Sequence, residues 1–219
     1  MVKKFKLIKD RQEVIEPYVT GKSVLDIGCA DARLDGRKRY KSTGLHEFIK
    51  ERASRLLGVD CDEEGVECMR EDGYDVVTSN AEEMELNERF DCVMAGEIIE
   101  HLSNPAGFLE SVKGHLNEDG VLIITTSNAF GILSTWRILK GNNIKVHGEH
   151  TCWYDPKTLT QLLERHGFEV TEGFFSNKSK WYLGKNFYKI KYQIPKLIVA
   201  LRPYFSGKVI VVARLVKKP

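Results

Sequence analysis

The sequence predicts an α/β protein built on a doubly wound, mostly parallel sheet of seven strands with helices on both faces. Three observations carry this expectation. Short runs rich in Val, Ile and Leu alternate with segments of helical periodicity, the pattern of successive right-handed β–α–β crossovers. The first run, Val24 to Ile27, passes directly into the small-residue turn Gly28-Cys29-Ala30-Asp31-Ala32. Acids also stand where strands run out, at Asp26, Asp60 and Glu97, and ligands bind beyond the carboxyl ends of strands in such sheets.

Taken in order, Asp10 to Val19 reads as a leading helix and Val24 to Ile27 as strand one. Leu45, Phe48, Ile49, Ala53 and Leu56 recur at helical spacing. Strand two follows at Leu56 to Asp60. A short helix at Glu63 to Glu71 is closed by Gly73, a residue suited to the left-handed position after a helix. Tyr74 to Ser79 is strand three and Phe90 to Ala95 strand four. Phe108, Leu109, Val112 and Leu116 mark the next helix, closed by Asp119-Gly120, and Val121 to Thr126 is strand five. Leu159, Leu162 and Leu163 lie on a helix ending at Gly167. Phe168 to Phe175 and Lys208 to Lys217 complete the strands. With no internal repeat or low-complexity linker, residues 1–219 read as a single domain.

Hydrophobic content of 42% and charged content of 29% are those of a globular chain. No apolar run reaches the length of a membrane span, and the basic start Met1-Val2-Lys3-Lys4-Phe5-Lys6 leads into no apolar signal core. The five cysteines include no Cys-x-x-Cys pair and read as reduced, which implies a cytoplasmic protein. A net charge of +2 points to no polyanionic partner by itself.

The turn after strand one narrows the ligand. A dinucleotide fingerprint needs three glycines so that backbone N–H groups can wrap a pyrophosphate. Here Ala30 and Ala32 occupy the second and third positions, and no Gly-Lys-Ser/Thr follows. The turn suits a nucleoside without phosphates. Asp60 can accept both hydroxyls of a ribose. Asn80, in Ser79-Asn80-Ala81-Glu82-Glu83-Met84, can accept from an exocyclic amine. Glu97, Glu100 and His101 stand at i, i+3 and i+4, so one helical turn could bring them together. Such convergence is costly unless it serves a ligand, a metal or a proton transfer.

These residues resemble the class I S-adenosylmethionine-dependent methyltransferases. Val24 to Ala32 is similar to their first motif, Asp60 to their ribose-binding acid, and Phe90-Asp91 with its apolar strand to their fourth motif. The resemblance runs from about Val24 to Val170 and implies a Rossmann-like methyltransferase fold whose last strand is antiparallel. It implies S-adenosylmethionine as cofactor, bound by Asp26, Gly28, Ala30, Asp60, Cys61, Asn80, Ala81 and Glu97. The segment Glu97-Ile98-Ile99-Glu100-His101 resembles the Glu-x-x-Glu-His of ubiquinone-pathway and small-RNA O-methyltransferases. That likeness implies catalytic roles for Glu97, His101 and His150, and a divalent cation (Mg, Mn or Zn) held by Glu97, Glu100, His101 and His150. Both His147 and His150 precede the helix at Pro156; His150 leads into it more directly. The expected reaction is O-methylation of a hydroxyl on a small metabolite or a lipid- or glycan-linked acceptor. Alternatives are an RNA 2′-O-methyltransferase, a non-catalytic nucleoside-binding partner subunit and an NAD-dependent oxidoreductase.

Outside the resemblance, about 177–206 reads as a helical insertion before the last strand. It interleaves Lys178, Lys180, Lys185, Lys189, Lys191 and Lys196 with Trp181, Tyr182, Phe187, Tyr188 and Tyr192. It could pack on the sheet, lie on a lipid surface or contact RNA. Arg37-Lys38-Arg39-Tyr40-Lys41 reads as a solvated basic loop. Nothing in the sequence indicates an oligomeric state.

Overall fold

The computed structural model describes residues 5–30, 44–144, 148–176 and 193–217, with the side chains of 193 and 194 excepted. The basic loop at 37–41, His147 and the aromatic-basic stretch 177–192 lie outside the described residues. Within them the chain runs β1 (Lys6–Ile8), α1 (Gln12–Val19), β2 (Ser23–Ile27), α2 (Leu45–Lys50), β3 (Arg55–Asp60), α3 (Glu63–Glu71), β4 (Val76–Thr78), β5 (Phe90–Gly96) and α4 (Pro105–His115). It continues through β6 (Leu116–Ser127), α5 (Ile132–Leu139), α6 (Pro156–Arg165), β7 (Phe168–Ser176), α7 (Gln193–Leu201), a 3₁₀ turn (Pro203–Phe205) and β8 (Lys208–Leu215).

The strands form one sheet in the order β1-β7-β8-β6-β5-β2-β3-β4. Among the described strands only β8 runs antiparallel to its neighbours, so Lys208 meets Ser127 on one side and Ser176 on the other. The start of β8 therefore lies at the same edge as the ends of the parallel strands. This is the α/β sheet expected, with eight strands rather than seven. The extra strand, β1, pairs with β7 through three residues, too few for any periodicity to show. The expected helix around Leu116 stops at His115. Leu116 instead opens β6, whose pairing with β5 jumps from Phe90↔Leu116 to Cys92↔Val121, so Asp119-Gly120 sits in the irregular start of the strand.

Alternation along the strands divides the core into two layers. Leu25, Ile27, Val93, Ala95, Leu122 and Ile124 face one layer. Their neighbours Val24, Cys92, Met94, Val121 and Ile123 face the other. Of the five cysteines, only Cys29 and Cys92 are buried; all five are free.

Helix starts follow the expected chemistry. Asn104 accepts from Gly107 N at 3.0 Å, with Pro105 in the first turn of α4. Asp155 and Thr158 form a capping box at α6. Asp91, at the amino end of β5, accepts from Ser23 N, Ser23 Oγ and Asn117 Nδ2 at 3.0, 2.9 and 2.9 Å. The Ser23 amide and the Asn117 amide hold this carboxyl below its usual range. A depressed acid adds stability above its unfolded pKa, about 3.9, which is lost as pH falls through the folded value. Asp91→Asn is accordingly expected to flatten the acid limb of a denaturation-versus-pH curve while leaving its alkaline limb in place.

Candidate active site

The first wall of the site is the turn after β2. Gly28 has φ +77°, a left-handed conformation that glycine adopts without a Cβ penalty. That bend aims its N–H at Val59 O, 2.8 Å away, and the Cys29 N–H at the same carbonyl, 3.3 Å away. The turn thus folds over the end of β3. There Asp60 Oδ2 accepts from Ala30 N at 2.9 Å and Oδ1 from Asp62 N at 3.0 Å. Burial pushes the Asp60 carboxyl up, while the Asp62 and Ala30 amides pull it back. Asp62 in turn caps α3 by accepting from Gly65 N. Cys61, between these acids, is exposed, and burial of its sulfur together with Asp60 pushes its thiol up.

Gly58 is what lets this wall close. A Cβ there would stand 2.7 Å from Cys29 Sγ, 2.8 Å from Val76 Cγ1 and 3.0 Å from His46 Cε1. Gly58→Ala is expected to cost about 1–3 kcal/mol of overpacking, read as a melting temperature several degrees lower.

Asp26 departs from its expected place as a cofactor ligand. It is 3% exposed, and its Oδ2 meets His46 Nδ1 at 2.9 Å. His46, 4% exposed, belongs to α2 and also faces the Tyr74 ring at 5.5 Å. Having no water, a buried carboxylate takes the nearest donor. Asp26 therefore ties α2 beneath the turn. Asn80 likewise spends its carbonyl on its own backbone: Oδ1 accepts from Glu82 N at 3.0 Å, and Nδ2 donates to Glu83 at 3.3 Å. Ala81 is buried in the core. Glu82 then accepts from Ser103 N and Asn104 N at 2.7 and 2.8 Å, joining this loop to the start of α4.

The opposite wall begins where β5 ends. Glu97 has φ +58°, a conformation costing about 1–3 kcal/mol for a non-glycine residue and concentrated at functional sites. Its N–H bonds Thr125 O at 2.8 Å. Its Oε1 accepts from Thr125 Oγ1 at 3.0 Å, and its Oε2 pairs with the Lys208 ammonium. Both side chains of that pair keep about a quarter of their surface open to solvent. Glu100 is instead 1% exposed. Its oxygens take Thr126 Oγ1 at 2.7 Å and Ser127 N at 3.2 Å, and its carbonyl takes Thr151 N at 2.9 Å. Burial, then the nearby Glu97 charge, pushes its carboxyl above the usual range.

His101 sits on the solvent side of this turn. Its Nδ1 lies 3.8 Å from Glu149 Oε2, and its ring meets the His150 ring edge-on at 4.6 Å. The loop at 148–150 thus lays an acid and a second imidazole beside His101.

The expected metal site does not fit this arrangement. Among the described residues no group of three His, Cys, Asp or Glu side chains is placed to hold a metal ion. One Glu97 oxygen is neutralised by Lys208 and both Glu100 oxygens are committed to β6. The two carboxylates relieve their repulsion with an ammonium and a raised pKa, which leaves no cation to be supplied.

Sequence reasoning missed Lys208, Glu149, His46 and the Thr125-Thr126 pair. Lys208 stands 111 residues after Glu97, and only the antiparallel insertion of β8 joins them. Glu149 had a signal: an acid beside one of two candidate histidines, in a loop already singled out. The hydroxyls of Thr125 and Thr126 end a strand whose register could have placed them against Glu97 and Glu100.

Comparison with known proteins supplies the family and the fold. The family described as a methyltransferase domain matches residues 5–172, and the chain belongs to that family. A protein of Mycolicibacterium smegmatis named a probable S-adenosylmethionine-dependent methyltransferase is 28% identical over 155 residues, covering 69% of this chain and 54% of its own length. The ubiquinone biosynthesis O-methyltransferase of Haemophilus ducreyi is 29% identical over 120 residues, covering 49% and 46%. The chain thus spans about half the length of these curated relatives. A methyltransferase crystal structure from Archaeoglobus fulgidus shares the fold, with a TM-score of 0.63 and 22% identity over 93% of this chain and 90% of that one. Membership sets aside the NAD-dependent oxidoreductase, and the sheet agrees: β8 lies antiparallel between β7 and β6, unlike the all-parallel dinucleotide order.

Proposed function

We propose that the protein transfers the methyl group of S-adenosylmethionine to the hydroxyl oxygen of a small, lipid-linked or glycan-linked acceptor. The observation that carries this reading is the Glu149–His101–His150 cluster, which follows β5 at the sheet edge where the neighbouring β2 ends in the Gly28–Ala30 turn over Asp60. The ubiquinone O-methyltransferase relatives support an oxygen acceptor over other nucleophiles.

Asp60 takes the ribose hydroxyls, next to Cys61. Gly28 and Ala30 offer the close backbone approach, Asn80 and Ala81 line the adenine side, and Asp26 supports the turn from beneath. The cofactor supplies an electrophilic methyl on a sulfonium centre. His101, oriented by Glu149, takes the acceptor's O–H proton as the oxygen–carbon bond forms and the carbon–sulfur bond breaks, so the imidazole ends protonated and the acceptor leaves as an ether. His150 buttresses that ring. Glu97 stands beside the methyl position, held by Thr125 and Lys208. The rest of the rate comes from in-line orientation.

Calorimetry with S-adenosylmethionine, S-adenosylhomocysteine and NAD tests the ligand half of the reading. Binding of the first two with no heat from NAD is the expected result; NAD alone binding would overturn it. Asp60→Ala removes a charge-assisted bond of about 1.5–3 kcal/mol. Cofactor affinity is expected to fall about tenfold or more in a variant whose circular dichroism is unchanged. Equal affinity would remove Asp60 from the ribose. A labelled-methyl screen over metabolite, lipid and RNA fractions identifies the acceptor, and labelling confined to RNA would move the reading to the 2′-O alternative.

A further inference from the structure

Two helices stand at the sheet edge where β6 ends and β8 begins, and neither buries all its apolar surface. Helix α5 follows β6 directly, and α7 leads through the 3₁₀ turn into Lys208. They pack against each other, and the Phe130 and Tyr204 rings meet at 5.9 Å. Asn128, at the end of β6, fixes this arrangement by donating to Tyr204 O and Ser206 O at 2.8 Å each. On the outer side Leu139 is 72% exposed, Leu201 67%, Leu197 62%, Ile138 53%, Phe130 49% and Trp136 45%. Leu197 and Leu201 stand one turn apart on the same face of α7.

The described charges on the two helices and just beyond them have one sign, and the acid bordering them, Asp155, accepts from the Tyr204 hydroxyl at 2.8 Å. Arg137 and Lys140 lie on or just beyond α5, Lys196 lies in α7, and Arg202 follows it. No Asp or Glu occurs between Ala129 and Gly148, nor anywhere from Gly173 onward. From Gly173 the sequence carries eleven Lys and Arg residues; the residues before it carry twenty-two against thirty-one acids. Along the sequence a chain of net charge +2 is therefore strongly polarised, and Arg137, Lys140, Lys196 and Arg202 stand on or beside the two helices that carry the bare aliphatic surface.

We infer that the α5–α7 face docks on an anionic lipid bilayer. Exposed leucines with a cationic border are the composition of a surface that enters the headgroup–acyl boundary, the cations meeting lipid phosphates and the leucines the acyl chains. A nucleic acid is recognised by stacking on aromatic rings, whereas the most exposed side chains here are aliphatic. A second copy of the chain would bring two cationic borders together in any twofold contact. Docking stands independently of methyl transfer. Its purpose, the presentation of a lipid-embedded hydroxyl to the Glu97–His101 crevice between the two helices' roots, rests on the function proposed above.

Co-sedimentation of the full chain with vesicles tests the inference without reference to activity. The chain is expected to pellet with phosphatidylglycerol-containing vesicles and to stay in solution with pure phosphatidylcholine. Leu139→Glu with Leu201→Glu, both at exposed positions, should abolish pelleting. Lys140→Ser with Arg202→Ser should weaken it about 30-fold, since each surface cation contributes about fivefold, and about 1 M salt should weaken the wild type similarly. S-Adenosylmethionine affinity in solution, measured in parallel, should be the same in all variants. Equal pelleting of wild type and both double variants, or no pelleting with anionic vesicles, would overturn the inference even where the cofactor binds. So would tight binding of a single-stranded RNA oligonucleotide that Trp136→Ala weakens and the leucine variants spare, or a wild-type dimer that the leucine variants dissociate.

Discussion

Replacing His101 with alanine is expected to lower kcat by about 10²–10⁴-fold, the usual range for a lost general base, with little change in cofactor affinity. The ring stands beside Glu149 and edge-on to His150, an orienting acid and a second imidazole of the kind that fixes a catalytic histidine. Its side chain keeps 29% of its surface exposed, while its neighbour Glu100 is sealed against β6. The control is Glu149→Gln, expected to lower kcat by a smaller factor, because it weakens the orientation and leaves the base. Single-turnover methyl transfer from saturating cofactor reads both effects. Full activity in His101→Ala would assign the proton to another group and leave the cluster as loop packing.

The second large effect concerns Lys208. Its ammonium neutralises Glu97 at the edge where a divalent cation was expected from sequence. Lys208→Met keeps the length of the side chain and removes the charge, leaving Glu97 facing the carboxyl of Glu100. Loss of one preorganised charge at a reaction centre costs about 10²–10³ in kcat, and part of this should return in Lys208→Arg. With the same geometry, wild-type activity is expected to be unchanged by EDTA. A sum of both results separates the ammonium from a metal: activity that falls on chelation and recovers with Mg²⁺, Mn²⁺ or Zn²⁺, with Lys208→Met near wild type, would restore the cation.

The parts of the molecule that could be read from sequence are those set by local rules. Strands β2, β3, β5 and β6 announce themselves by apolar runs, since both faces of a central parallel strand are buried. The Gly28 turn was legible because only small residues permit it, and Asp60 because its strand ends there. Strand β1 was not, since three residues carry no period. The pairings of Asp26 with His46 and Glu97 with Lys208 were not legible for a different reason. Each joins segments whose proximity is decided by the sheet as a whole, and an acid in a motif looks the same whether its partner is a ligand or a distant side chain. Glu100 shows the consequence: its spacing from Glu97 and His101 suggested metal coordination, whereas the register of β6 gives its oxygens to Thr126 and Ser127.

The position of β8 has a temporal consequence. It leaves the ribosome after both β6 and β7, yet it lies between them and pairs with both. Until residues 208–215 emerge, β6 presents an open edge and β7 with β1 has no place beside it. Pairing at such sequence separation is slow to close, and the nascent sheet stays exposed to association with other chains meanwhile. Lys208, arriving with that strand, reaches Glu97 only when β8 enters the sheet, so the charge balance at the end of β5 is established at the same moment as the sheet closes.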